Sequence, residues 1–171
     1  RQIRGLSPDC AGRIVAARTE RPFADVQDLV DRAALNRFER QRLAEAGALR
    51  TLGGHRHRAH WQVAGTETLP PVLDGTTIGE ARVALAPPTA AQDTFSDYAH
   101  LGFTLGRHPL GLIRKALRAR RARSAAELAA LPDGTPARMA GLVTVRQCPG
   151  TASGVTFLTV EDETGTVNVV V

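Results

Sequence analysis

The sequence predicts an α+β fold, with helices in its N-terminal part and strands in its C-terminal part. Apolar side chains recur at helical spacing through residues 1–64. Residues 137–171 are instead rich in β-branched side chains, which favour strands. Between these regions, proline, glycine and threonine dominate residues 65–92, which is typical of a linker. Residues 93–136 return to helical spacing, so we expect a helical connector there.

Two similar turns organise the predicted helical domain 1–64. The first turn, Ile3-Arg4-Gly5-Leu6-Ser7-Pro8, precedes a predicted helix over 9–19, and the second, Ala34-Leu35-Asn36-Arg37, separates helices over 24–33 and 37–46. In each turn a leucine that can face the core lies between small or polar residues that let the backbone approach a ligand. Unpaired N–H groups at a helix N-terminus bind phosphate. The turns therefore predict a tandem helix-hairpin-helix module that binds nucleic acid.

The rest of the helical part is predicted to consist of short elements. They are a helix carrying Trp61, two helices over 93–102 and 109–121 on either side of the turn Gly106-Arg107-His108-Pro109, and a small helix over 124–131. We expect His108 to support local packing at this turn.

The β-rich region 137–171 is predicted to contain three strands, over 138–147, 154–160 and 166–171. The segment Glu161-Asp162-Glu163-Thr164-Gly165 joins the last two strands as a hairpin. Because an oligonucleotide-binding (OB) barrel has five strands, we expect these three to be the first part of one.

The side chain of Phe157 can face in either direction from the predicted sheet. If it faces outward it can stack on a base, with Arg138 or Arg146 near the phosphates. Alternation places Phe157 and Leu158 on opposite faces, and only one face can be core. The alternative is that Phe157 packs in the core, because it is the one aromatic residue available in this strand.

Basic residues are concentrated in two regions. The chain has 22 basic and 17 acidic residues, a net charge of +5, and Lys115 is its only lysine. Residues 1–64 carry twelve arginines against seven acidic residues, and residues 107–146 carry nine basic against two acidic residues. This distribution suits phosphate binding with counterion release. Codon usage in a GC-rich genome would give the same preference for arginine over lysine.

The sequence disfavours three classes of protein: membrane proteins, secreted proteins and zinc-binding proteins. It has no run of about 18 apolar residues and no export leader, so we expect a cytoplasmic protein. Cys10 and Cys148 are then expected to be free thiols. His55, His57 and His60 do not share one helix face, which favours surface histidines over a zinc site.

The sequence also lacks the close set of carboxylates that a two-Mg²⁺ polymerase site requires. Its acidic cluster, Glu161-Asp162-Glu163, lies in the predicted hairpin and is interpreted as part of a turn. No catalytic or metal-binding residue is therefore assigned, and a repair nuclease or glycosylase is disfavoured for the same reason.

Five segments carry a resemblance to a known family: IRGLSPDCAGRIVAAR, RPFADVQDLVDRAAL, RLAEAGAL, DYAHLGFTLGRHPL and AGLVTVRQCPGTASGVTFLTVEDETGTVNVVV. Together they resemble the C-terminal part of bacterial C-family replicative polymerases, the DNA polymerase III alpha subunits. The resemblance covers nearly the whole chain. Within the family, the tract PGTASGVTFLTVEDETGTVNVVV is most similar to the error-prone paralogue that acts in damage-induced mutagenesis.

The resemblance implies a non-catalytic, DNA-binding part of a polymerase whose active site and Mg²⁺ lie elsewhere. It implies that the two turns present backbone amides to DNA and that the nearest cations are arginines. The implied DNA-binding residues are Gly5, Leu6, Ser7, Arg13, Ala34, Leu35, Asn36, Arg37 and Arg40. Because Ala34 and Asn36 stand where the family has glycine, the second hairpin is expected either to bind weakly or to be structural. The implied partners are double-stranded and single-stranded DNA, mutasome accessory proteins and, indirectly, the sliding clamp.

A competing hypothesis is a docking scaffold for mutasome or replisome proteins, in which the hairpins are only structural. Gln92-Asp93-Thr94-Phe95 superficially resembles a clamp-binding peptide, but such a peptide must be exposed and extended. We expect Phe95, Tyr98, Leu101 and Phe103 to form the apolar, core-facing side of their segment instead.

Overall fold

The structure is a computed structural model that describes residues 2–66, 83–150 and 154–171. The chain divides into two compact units, Arg1–Thr104 and Leu105–Val171. The helices are α1 (Pro8–Glu20), α2 (Val26–Arg32), α3 (Arg37–Glu45), α4 (Arg50–Gly53), α5 (Arg56–Gly65), α6 (Ala90–His100), α7 (Pro109–Ala119) and α8 (Ala125–Ala129), and the strands are β1 (Leu142–Gln147), β2 (Phe157–Asp162) and β3 (Gly165–Val170). No helix in the described part of the chain is long and apolar enough to cross a membrane.

In the first unit, α1 to α5 form a helical bundle, and side-chain caps fix the starts of its first three helices. The side chains of Ser7, Asp25 and Asn36 accept the backbone N–H of the third residue of α1, α2 and α3, respectively. The bundle surrounds an apolar core whose buried members are Cys10, Val26, Leu29, Val30, Ala33, Leu35, Leu43, Ala44, Leu49, Ala59 and Val63.

Helix α6 is attached to this bundle by ion pairs. Arg56, whose side chain is only 4% exposed, pairs with Asp93 and lies 2.5 Å from Asp97. Arg50 adds a second cation 2.9 Å from Asp93. Breaking such a buried network leaves an uncompensated charge, so these contacts fix where α6 lies.

The start of α6 falls inside the predicted linker 65–92. A capping box between Thr89 and Gln92 begins the helix at Ala90. Most of the predicted linker, residues 67–82, lies outside the described residues. The boundary between the two units, after Thr104, falls inside the predicted connector 93–136.

The second unit contains an antiparallel sheet in the order β1-β2-β3, packed against α7 and α8. The predicted hairpin is present, and its turn is the short segment between Asp162 and Gly165. Asp162 is buried there and accepts the backbone N–H of Ala125 at 2.8 Å and an N–H of Arg114 at 3.0 Å. The α+β prediction is therefore confirmed, with three antiparallel strands in an open sheet.

Candidate nucleic-acid interface

The two predicted turns form equivalent structures in the first unit. Gly5 and Ala34 both adopt left-handed backbone conformations, with φ of +80° and +46°. The next residue in each turn, Leu6 or Leu35, packs into or against the core, as predicted. Ser7 and Asn36 then cap the outgoing helices. The chain thus builds two helix-hairpin-helix turns with the same backbone plan.

Each turn lies against the helix that leaves the other turn. Arg13 of α1 donates hydrogen bonds of 2.5 Å to the carbonyls of Ala33 and Ala34 in the second turn. On the other side, a Cβ built on Gly5 would lie 3.5 Å from Phe38 and 3.6 Å from Arg42 of α3. Arg42 is the counterpart of Arg13, because each occupies the same position within its helix. The two turns are therefore held side by side in one small body.

The first turn leaves backbone donors open. Leu6 N–H donates to the carbonyl of Ile3 at 3.3 Å, and Pro8 has no N–H. No acceptor for the N–H of Gly5 or Ser7 is found within the described residues. Both donors lie at the N-terminal, positively polarised end of the 13-residue helix α1. This arrangement suits a phosphate.

In the second turn, the backbone N–H groups all donate to acceptors within the chain. Ala34 N–H donates to Asp31 O at 3.2 Å and Leu35 N–H to Val30 O at 2.9 Å. Asn36 N–H donates to Oε2 of Glu39 at 2.9 Å, which completes a capping box. These three amides are therefore already paired within the chain, which opposes the expectation that Ala34, Leu35 and Asn36 present amides to DNA and favours the structural alternative for this hairpin.

A single position explains the difference between the turns. The third helical residue is Cys10 in α1 and Glu39 in α3. A glutamate there can reach back to the N-cap amide, whereas cysteine cannot. Burial acts to raise the pKa of Glu39, but hydrogen bonds from Asn36 N–H and Arg13 outweigh it and hold that pKa below its ordinary value. Glu39 therefore stays ionised, occupies the N-cap amide of the second turn and pairs with Arg13 at 2.6 Å.

Cys10 itself lies beside this charge. Burial, and then the neighbouring carboxylate of Glu39, raise the pKa of the Cys10 thiol to about 11. Cys10 is therefore a neutral core residue at physiological pH, while Cys148 is an exposed free thiol.

Of the predicted DNA-contacting cations, Arg13 is committed to the fold. Its guanidinium contacts two carbonyls, Asp9 at 3.2 Å and Glu39 at 2.6 Å. Arg37 and Arg40 form no ion pair within the described part of the chain, and Nε of Arg40 is buried without a hydrogen-bond partner. Their contact with DNA stays a prediction.

Arg42 is a neighbour of the first turn that sequence reasoning missed. Its guanidinium lies 4.8 Å from the centre of the Phe38 ring and 3.0 Å from Glu45. The signal that could have found it is its place in the repeat, since Arg42 follows the second turn at the same spacing at which Arg13 follows the first.

The predicted OB surface does not form as one set. Phe157, which is 41% exposed, lies opposite Gln147 and Val170 in the sheet. Arg146 pairs with Leu158 and so lies on the other face. Arg138 precedes β1 and donates to the carbonyl of Arg120 at 3.2 Å. Arg146 therefore does not share a face with Phe157, a role for Arg138 beside Phe157 stays a prediction, and the outward option for Phe157 agrees with its exposure.

The expected packing of Phe95 is also wrong. Phe95 lies in α6, as a helix rather than an extended peptide, but its side chain is 79% exposed. The helix turns its polar face inward, because Asp93 and Asp97 pair with the buried Arg56. The spacing of apolar side chains therefore did not predict which face of α6 is buried.

The histidines serve local structure. His55 and His57 contact the carbonyls of Leu85 and Ala86 at 3.0 Å and 2.9 Å, next to the start of α6. His108 caps α7 by accepting Leu110 N–H at 3.2 Å, which agrees with its expected local role.

Comparison with known proteins bears on both units. Residues 1–59 match the family described as helix-hairpin-helix motif. The error-prone DNA polymerase of Alkalilimnicola ehrlichii is 54% identical over all 171 residues, and that of Aromatoleum aromaticum is 55% identical over 169 residues. The chain matches error-prone DNA polymerases along its whole length. Error-prone DNA polymerases are much longer, and the chain spans only 16–17% of these two relatives.

Proposed function

We propose that this chain is the DNA-binding segment of an error-prone DNA polymerase and that it binds the DNA backbone through its first hairpin turn. The observation that carries the proposal is the pair of open N–H groups at Gly5 and Ser7, at the N-terminus of α1. The identity to error-prone DNA polymerases supports the same conclusion. Amides and arginines contact phosphates, so the binding is expected to be independent of base sequence.

Polymerase chemistry is assigned to the rest of the parent protein. A DNA polymerase needs carboxylates free to hold Mg²⁺. The acidic cluster of this chain does not fit that ion, because Asp162 and Glu163 already pair with Arg114 at 3.0 Å and 2.5 Å. The segment's own contribution is to hold duplex and template while the parent copies damaged DNA in the cytoplasm.

The hairpin is tested with two substitutions of Ser7. Ser7→Pro removes the open N–H, and the φ of −72° at this residue suits proline. Ser7→Ala keeps the N–H, and both variants lose the cap on Cys10. A hydrogen bond to a charged group contributes about 1.5–3 kcal/mol, so we expect Ser7→Pro to bind duplex DNA at least about tenfold more weakly than Ser7→Ala.

The measurement is fluorescence anisotropy of a labelled duplex at several salt concentrations. Equal affinities of the two variants would refute the hairpin as a phosphate site. Affinity that does not change with ionic strength would refute phosphate binding altogether.

We propose protein docking through α6 as a second candidate function, favoured by the exposure of Phe95. Ala91, Phe95 and Ala99 recur at four-residue spacing and are all exposed. Aromatic anchors of this kind contribute most at interfaces. The expected partners are mutasome proteins or the sliding clamp, tested by surface plasmon resonance with each purified partner. Phe95→Ala should weaken partner binding and leave DNA binding unchanged; no effect on any partner would refute the docking face.

A further inference from the structure

The second unit carries a dense group of arginines where α7 ends. The sequence from residue 118 to 123 is RARRAR, and Arg138 joins it from the chain before β1. Arg138 donates to the carbonyl of Arg120 at 3.2 Å, and the backbone N–H of Arg123 donates to the carbonyl of Arg138 at 2.8 Å. We call this set, Arg118, Arg120, Arg121, Arg123 and Arg138, the arginine cluster.

The arginine cluster is exposed and nearly without counter-charge. All five residues are exposed. Arg118 pairs with Glu127 at 3.1 Å. The other four form no ion pair within residues that the structure describes. Like charges held together without partners repel each other, so the cluster lowers the stability of the isolated chain.

The ordinary structural reason for a cation here covers only part of the cluster. A basic residue in the last turn of a helix interacts favourably with the helix dipole, which accounts for Arg118. Arg121 lies beyond the helix in a left-handed conformation, with φ of +59°, which glycine would adopt more easily. Arg138 also reaches the end of α7, because its guanidinium donates to the carbonyl of the C-cap residue Arg120. Arg121 and Arg123 have no such structural reason, and their charge is the part of the cluster that suits a partner outside the chain.

The guanidinium groups of this cluster suit a partner that carries phosphate groups. Arginine presents a planar fork of donors that matches phosphate oxygens, and exposed arginines without a carboxylate partner on neighbouring segments can contact phosphates. We propose that the arginine cluster is a second nucleic-acid-binding surface, which contacts the phosphate backbone independently of the first hairpin turn. The proposal rests on the proposed DNA-binding function for the choice of nucleic acid over an acidic protein.

A matched pair of double variants tests the proposal. Arg120→Gln with Arg121→Gln removes two unpaired charges from the cluster. Arg21→Gln with Arg50→Gln removes the same total charge from exposed arginines that pair with Asp28 and Asp93. Both are assayed for folding by circular dichroism. They are then titrated with single-stranded and duplex oligonucleotides across a range of salt concentrations.

We expect the cluster variant to bind at least one of the two DNA forms roughly tenfold more weakly, with the salt slope reduced by about two for duplex or slightly less for a single strand. The control should change far less. The same loss should appear in the Ser7→Pro background, because the two surfaces act independently.

The outcomes separate this proposal from the previous one. If Ser7→Pro weakens binding and the cluster variant does not, the cluster is not a DNA surface and the hairpin function stands. Equal losses in the cluster variant and the control would also overturn the proposal, since total charge alone would explain them. Unchanged DNA binding with lost binding to polyglutamate would assign the cluster to an acidic protein instead.

Discussion

At the scale of single residues, the third helical position after each turn decides which hairpin keeps unpaired backbone N–H groups. Glu39 closes the second turn with a carboxylate, and Cys10 leaves the first turn open. The sequence predicted two similar turns because each has a leucine between small or polar residues. It did not predict their difference, because the asymmetry depends on which N–H groups find acceptors in the fold.

Exchanging alanine and glycine at the left-handed residues of the two turns should change the free energy of unfolding in opposite directions. Ala34→Gly relieves a side chain held at φ +46°, so we expect stabilisation by up to about 1 kcal/mol. Gly5→Ala places a side chain at φ +80° and should destabilise by about 1–2 kcal/mol. Urea unfolding monitored by Trp61 fluorescence measures both changes, and shifts of the same sign would contradict this account.

The capping carboxylate predicts a specific acid sensitivity. Because the folded pKa of Glu39 lies below its ordinary value of 4.5, its stabilising contribution is complete above that pH and is lost as the pH falls through the folded pKa. Glu39→Gln should therefore be less stable at pH 7, by about 1–2 kcal/mol, and show a shallower loss of stability in acid.

Urea unfolding between pH 2.5 and 7 measures this difference. Asp28, whose pKa is also lowered by the N–H of Ala24 and by Arg32 despite opposing burial, supplies part of the acid sensitivity that Glu39→Gln retains. Parallel pH profiles for the variant and the parent chain would show that Glu39 does not couple to folding.

At the scale of elements, hydrophobic periodicity predicted the presence of helices better than their orientation. The helical spacing of residues 1–64 predicted helices there, and the bundle they form has Leu29, Val30 and Leu43 in its core. It failed for α6, where the buried Arg56 attracts the acidic face and Phe95 remains exposed. Long-range ion pairs of this kind have no signature in local spacing, because Arg56 and Asp97 lie far apart in the sequence.

The β2–β3 hairpin should depend on one buried carboxylate. Burial acts to raise the pKa of Asp162, but hydrogen bonds from Thr164, Ala125 N–H and Arg114 hold it below its ordinary value. One oxygen of Asp162 accepts from Ala125 and Arg114, and the other accepts from Thr164. In Asp162→Asn the –NH₂ group would face one of these two sets of donors and leave buried donors unpaired. We expect the second unit to lose about 2–4 kcal/mol of stability.

The location of this loss can be measured separately from the first unit. Trp61 reports only on the first unit, whereas far-ultraviolet circular dichroism reports on both. The variant should lower the circular dichroism midpoint for the second unit and leave the Trp61 transition unchanged. A matching shift of the Trp61 transition would show that Asp162 acts on the whole chain.

At the scale of the whole molecule, two units offer two kinds of contact with a nucleic-acid backbone. The first unit offers backbone amides at one helix start, and the second offers a cluster of guanidinium groups. The concentration of positive charge in two regions was visible in the sequence. The sequence did not show which arginines form ion pairs. Nothing in the local sequence distinguishes Arg13 and Arg114, which pair with carboxylates, from Arg40 and Arg120, which do not do so within the described residues.

Of the two hairpin turns, only the first is proposed to bind phosphate, and amide chemical shifts test this difference most directly. The ¹⁵N-labelled chain is titrated with a short DNA duplex, and the backbone amides of both turns are followed by NMR. We predict that Gly5 and Ser7 shift with saturation while Ala34, Leu35 and Asn36 stay in place. Shifts in the second turn equal to or larger than those in the first would contradict the account.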